Sequence, residues 1–124
     1  MPRQGSSPGP EAFLPLTNAS LHILLALADG ERHGYAIMQD VAASTAGKLR
    51  LGPGTLYGTI KRLLADGLII EAGERPDAAL ADERRRYYRL SDLGLRVASA
   101  EAERLERLVG LARERRLLGG SGNA

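Results

Sequence analysis

The chain has no cysteine, no tryptophan and a single phenylalanine, Phe13. Without cysteine there can be no disulfide framework, no thiolate zinc site and no cysteine nucleophile. Aromatic residues make up only 4% of the sequence, so the core must be built from Leu, Ile, Val and Ala. Histidine is almost as scarce. His22 and His33 fall on different elements, and neither has a carboxylate or nucleophile at a useful spacing. "GPGTLYG" lacks the spacing of a Walker phosphate loop, and no metal-ligand spacing occurs. These absences argue against an enzyme and against a bound metal or cofactor. No apolar run approaches the roughly 18 residues of a membrane span. The opening "MPRQGSSPGP" lacks the apolar stretch of a signal peptide. It reads as part of a disordered tail over residues 1–14, rich in Gly, Ser and Pro, and the expected location is cytoplasmic.

What remains is globular composition: 44% hydrophobic residues in 124, enough for one domain. A core of that size is modest, so a second copy of the chain could add useful burial. The formal net charge is +2 and the pI about 9.3, a weak overall bias. Its distribution says more. "ERRRYYR" concentrates cations at Arg84, Arg85, Arg86 and Arg89, whereas Lys48 and Lys61 are the only lysines.

Hydrophobic periodicity predicts a first helix over Leu16 to Ala28. Thr17 or Asn18 can cap it, and Asp29-Gly30 can stop it. Leu21, Leu24, Leu25 and Ala28 share a face, with Ile23 and Leu27 beside it. So much apolar surface on a short helix suggests contact with both a core and a partner. A second helix is predicted over His33 to Thr45, with Ile37, Met38, Val41 and Ala42 as its buried stripe and Gly47 just past its end. Lys48 to Leu51 alternates and reads as a short edge strand. A third helix follows over Pro53 to Asp66, opened by a proline suited to a first turn and ended by Gly67. Leu68 to Gly73 and Arg85 to Leu90 read as the strands of a hairpin. The turn-rich "GERPDAALADER" between them reads as a long mobile tip. Ser91-Asp92 opens a last helix reaching about Leu118, and residues 119–124 read as tail. Along it Ala98, Ala102, Leu105, Val109 and Ala112 recur at alternating four and three, the seam spacing of a two-helix contact, and Leu108 widens the stripe. Three helices followed by a two-stranded wing make a winged helix, a variant of helix-turn-helix. The expected fold class is therefore mainly α with a small β-hairpin. Residues 15–90 form the winged-helix domain and residues 91–118 a dimerisation helix.

The third helix separates its residues by face. At about 100° per residue, Leu56, Ile60, Leu63 and Leu64 fall within one arc that must face the core. Thr55, Gly58, Lys61 and Arg62 are left outward, with Tyr57 and Thr59 on the flanks. Small residues near the start let the helix approach another surface, and cations further along can meet phosphates or a guanine edge. On the helix alone, Lys61 and Arg62 also fit an ordinary solvated face, and Tyr57 a half-buried packing residue.

"HGYAIMQDV", "GPGTLYGTIKRLLADGLI" and "RRRYYRLSDLG" occur in an order and at a spacing that resemble PadR-like transcriptional regulators. The resemblance covers about Leu16 to Ala112, and the single C-terminal helix resembles the smaller branch of that family. It implies a winged-helix homodimer on double-stranded DNA, usually a repressor on a roughly palindromic operator. It places the recognition helix on Pro53 to Asp66, with Thr55, Tyr57 and Lys61 among the DNA contacts. It also places Tyr35 near the DNA-facing side and the wing on Arg84 to Arg89. The DNA-binding set is then Tyr35, Thr55, Tyr57, Gly58, Thr59, Lys61, Arg62, Arg84, Arg85 and Arg86. Dimerisation in that family runs through the C-terminal helix, often with the first helix. Here that means Leu21 and Leu24 beside Ala98, Ala102, Leu105, Leu108, Val109 and Ala112. Some members take aromatic or drug-like effectors at the dimer interface. This chain has no Trp to stack on such a small molecule, and no effector is indicated. A reading of a different class is a winged-helix module that binds protein and not DNA, motivated by the modest net charge and the apolar first and last helices.

Overall fold

The structure, a computed structural model, describes residues 9–77 and 80–119. A 3-10 turn, Pro10–Phe13, precedes α1 (Asn18–Leu27), β1 (Arg32–His33), α2 (Gly34–Ser44) and α3 (Pro53–Ala65). Then come β2 (Ile69–Asp77), β3 (Leu80–Leu90) and α4 (Asp92–Glu114). The strands form one antiparallel sheet in the order β1-β3-β2. This is the expected winged helix-turn-helix followed by a C-terminal helix.

The helix boundaries follow from caps. Thr17 accepts the Ser20 N–H at 3.1 Å and starts α1. His33 does the same for α2 through Nδ1, which accepts the Ala36 N–H at 3.1 Å. At the end of α3 the chain turns left-handed at Gly67, φ 76°. The Leu68 N–H reaches the Leu63 carbonyl and the Gly67 N–H reaches Leu64, the paired closure that stops a helix at glycine. Leu63 and Leu68 are both buried beneath it.

Four expectations need correction. Lys48 to Leu51 is not a strand. The Lys48 and Leu49 amides are taken by the Thr45 carbonyl (3.0 Å) and hydroxyl (3.0 Å), which winds the segment into a turn. The third strand is instead β1, only two residues long, pairing Arg32 with Tyr88 and His33 with Tyr87. The hairpin tip is also shorter than expected, because both strands run on to Asp77 and Leu80. The N-terminal tail ends sooner than residue 14, since Phe13 and Leu14 pack against the core. Residues 1–8 and 120–124 of the expected tails lie outside the described residues. Finally, α4 stops at Glu114 rather than near Leu118. Arg116 takes a left-handed φ of 63°, and the Leu117 N–H closes on the Ala112 carbonyl at 2.9 Å.

The core gathers Ile23, Leu24 and Leu27 of α1, Ile37 and Val41 of α2, and Leu56, Ile60 and Leu63 of α3. Leu68, Ile69, Tyr88 and Val97 complete it. Two contacts dock α4 onto this core. Gly94 sits against the backbone of Leu68, where an added Cβ would lie 2.9 Å from the carbonyl carbon and closer still to its oxygen. Glu101 is 1% exposed, yet it is charged. Its Oε2 accepts the Leu16 N–H at 3.0 Å, and Arg104 forks onto both carboxylate oxygens at 2.6 and 3.1 Å. One buried carboxylate thus ties α4 to the segment entering α1. The Arg104 hydrogen bonds, helped by the Leu16 N–H, hold Glu101 below the ordinary carboxylate value of 4.5 despite its burial.

A depressed carboxylate stabilises the fold above its unfolded value and loses that contribution as pH falls through its folded value. Thermal unfolding should therefore show an acid-side loss of stability beginning near pH 4.5, and Glu101→Gln should flatten that limb. At neutral pH the same substitution should cost about 1–3 kcal/mol, because Arg104 and the Leu16 N–H lose their anion. Gly94→Ala should cost about 1–3 kcal/mol by overpacking against backbone, read as a lower denaturation midpoint.

Candidate nucleic-acid interface

The surface of interest is built on α3. Leu56, Ile60 and Leu63 hold it to the core, and Leu64 is half-buried. Its opposite face carries Thr55, Gly58, Lys61 and Arg62, all exposed, while Thr59 is half-buried on one flank. Tyr57, on the other flank, is 47% exposed. Both readings of Tyr57 hold at once, because its ring packs while leaving half its surface outside. The ring lies against the first turn of α2, where a Cβ on Gly34 would fall 2.8 Å from ring carbons. Gly34 is therefore needed for the close approach of α2 and α3, and it links "HGY" to "TLYG" through space.

Next to Gly34, Tyr35 is 47% exposed. The Arg85 guanidinium of β3 stands 5.6 Å from its ring centroid, within cation–π range. The start of α2 and the wing thus share one side of the molecule. Below them the wing root is fastened by stacked contacts. Arg75 lies 4.0 Å over the Tyr87 ring and donates to Glu31. The His33 ring meets Tyr87 edge-on, with centroids 5.3 Å apart at 84°. Tyr88, one residue on, points the other way into the core, where burial pushes its phenol pKa up.

The wing cations differ in their surroundings. Arg86 donates to Glu74 at 3.1 Å and pairs with Glu71 at 3.5 Å across the hairpin, so much of its charge is met within the chain. Arg84 pairs with Pro76 in the sheet, and its side chain lies outside the described residues. Arg89 is exposed, opposite Ile70.

The sequence-predicted dimer surface divides. Leu24 lies wholly in the protomer's core and has no surface left for a partner; its neighbour Leu25, 51% exposed, faces out instead. Leu21, Ala98, Leu105 and Ala112 are half-buried, and Ala98 packs against the core. Ala102, Leu108 and Val109 are exposed. Leu95, 54% exposed, falls three residues before Ala98 and extends the same seam.

Sequence reading missed Gly34, Glu31, Arg75 and Glu101. Only Gly34 carried a local signal, a glycine at a helix start where a larger residue would serve as well. Among the described residues no cluster of His, Cys, Asp or Glu could hold a metal ion, and no helix is long and apolar enough to cross a membrane.

Residues 23–100 match the model of the transcriptional regulator PadR-like family. The chain is 36% identical over 100 residues to the transcriptional regulator Rv3488 of Mycobacterium tuberculosis, covering 81% of this chain and 82% of that protein. It is 38% identical over 93 residues, 75% of this chain, to an uncharacterized 37.1 kDa protein in transposon TN4556 of Streptomyces fradiae. The match spans only 24% of that longer protein. Among solved structures, a PadR family transcription regulator from Clostridium difficile R20291 superposes with a TM-score of 0.66 at 19% identity. That alignment covers 79% of this chain and 97% of the other, and shows a shared fold. The chain belongs to the PadR-like family, whose members are transcriptional regulators and not enzymes.

Proposed function

We propose that the protein is a sequence-specific DNA-binding repressor that acts as a homodimer on a roughly palindromic operator, in the cytoplasm. The observation that carries this reading is the outward face of α3: small residues at its start, Lys61 and Arg62 further along, and Tyr35 with Arg85 beside it. A helix with small residues at its leading end can enter the major groove, and its long cations then reach base edges or phosphates. The wing adds Arg84 and Arg85 along the adjoining backbone. Arg86, already paired with two carboxylates, contributes less.

Dimerisation is supported by the apolar residues that the protomer leaves outside. Leu25, Leu95, Leu108 and Val109 are exposed on α1 and α4, and with Ala102 they continue the seam. A two-fold axis through α4 would set two copies of α3 about 34 Å apart, on successive major grooves.

With roughly eight phosphates met per dimer, affinity should fall about 10³- to 10⁵-fold between 50 and 200 mM salt. Arg85→Ala should weaken binding to all duplexes alike and lower the salt slope by about one. Lys61→Ala should change the preference between sequences, and an unchanged preference would demote Lys61 to a backbone contact. Retardation assays on the DNA upstream of the protein's own gene read all three. No complex at low salt, from a protein that is folded and dimeric, would reject the DNA reading in favour of a protein-interaction module. Val109→Glu should convert the dimer to a monomer by sedimentation at micromolar concentration; monomeric wild type would remove the dimer.

A further inference from the structure

A depression of about 470 Å³ lies between the start of α1 and the outward face of α3. Thr17 and Ser20 line it from α1, and Gly54, Thr55, Gly58 and Arg62 from α3. No carboxylate lines it, and Arg62 is its one charged side chain. Two helices open on it with their N-terminal ends. In α1 the Thr17 hydroxyl takes only the Ser20 N–H, so the amides of Asn18 and Ala19 have no intrahelical acceptor. In α3 the cap is Gly52, which has no side chain to offer the first amides. The independent observation is Ser20. It is only 6% exposed, and its hydroxyl has no hydrogen-bond partner among the described residues. A buried hydroxyl left without a partner is uncommon and calls for an explanation.

We infer that this depression is a seat for a phosphate group, occupied on complex formation by a backbone phosphate of the DNA; this rests on the DNA-binding reading. An α-helix with its side chains is about 10–12 Å across and fills a major groove about 12 Å wide, so phosphates border it on both flanks. On the helical wheel Tyr57 and Lys61 lie toward α2, while Thr55 and Arg62 lie toward α1. The α2 flank is served by Tyr35 and the wing. The α1 flank is served by this seat, where amide donors, the Ser20 hydroxyl and the Arg62 guanidinium converge on an anion. Arg62 is thus a positioning contact to the sugar-phosphate backbone and not a reader of bases.

The test uses the full-length protein with Arg62→Gln and Ser20→Ala, both of which should keep the wild-type melting temperature. Arg62→Gln should weaken binding about tenfold on specific and unrelated duplexes alike and lower the salt slope by about one. Ser20→Ala should weaken it about threefold. Replacing phosphates one at a time by neutral methylphosphonates should reveal a position flanking each half-site that matters to wild type and no longer matters to Arg62→Gln. A changed sequence preference in Arg62→Gln, or no position whose effect depends on Arg62, overturns the inference even though DNA binding stands. If wild type binds no duplex, the DNA reading itself fails. Titration with inorganic phosphate, followed by amide NMR, then decides the seat. Shifts at residues 17–20 and 54–55 that vanish in Arg62→Gln keep it as a site for free phosphate, and their absence overturns it.

Discussion

The contact between the Tyr57 ring and Gly34 governs the rest of the interface. Any Cβ at residue 34 would collide with the ring, so α2 and α3 can meet at this angle only while that position is glycine. Once they do, Tyr35 is carried outward on the first turn of α2, and Lys61 and Arg62 project from α3. Close packing makes the angle rigid, because interiors near crystal density leave no slack for a tilt. A groove-reading surface needs that rigidity, since a small error in helix angle moves the far cations by ångströms.

Electrostatics then sort cations that the sequence lists side by side. Arg75 and Arg86 are engaged with Glu31, Glu71 and Glu74, and they brace the hairpin. Arg32 is similarly occupied, donating to the Ala26 carbonyl at 2.8 Å and facing Asp40. A modest net charge of +2 is therefore compatible with a locally basic face, because many of the carboxylates sit behind the surface that α3 presents. Glu101 has the opposite role. It brings a single negative charge inside and uses it to join both ends of the ordered chain.

Much of this was legible from residue order. The three buried leucine and isoleucine positions of α3 follow from a period of 3.6, which the Gly-Pro-Gly start and the Gly67 stop frame on either side. The outward set followed from the same wheel. The segment over residues 48–51 misled because alternation is a strand signal only when its amides are available, and here Thr45 takes two of them. β1 could not be foreseen, since two residues carry no period. Leu24 and Leu25 show the limit most plainly. Both are leucines on one short helix, yet one is fully buried and the other half outside, a difference of 100° in azimuth that depends on where α2, α3 and α4 stand.

Sequence alone determined the element types, the inward stripe of each helix, and the identity of the residues left outward on α3. These rest on local geometry, which repeats every few residues and needs no knowledge of the far chain. Tertiary structure decided which cations are paired, why Gly34 is glycine, where the entering segment is fastened, and that Ser20 and Arg62 share one depression. Each of those joins residues distant in the chain: Gly34 with Tyr57, Leu16 with Glu101, Thr17 with Arg62. Such contacts depend on packing angles between helices, and no local pattern encodes them.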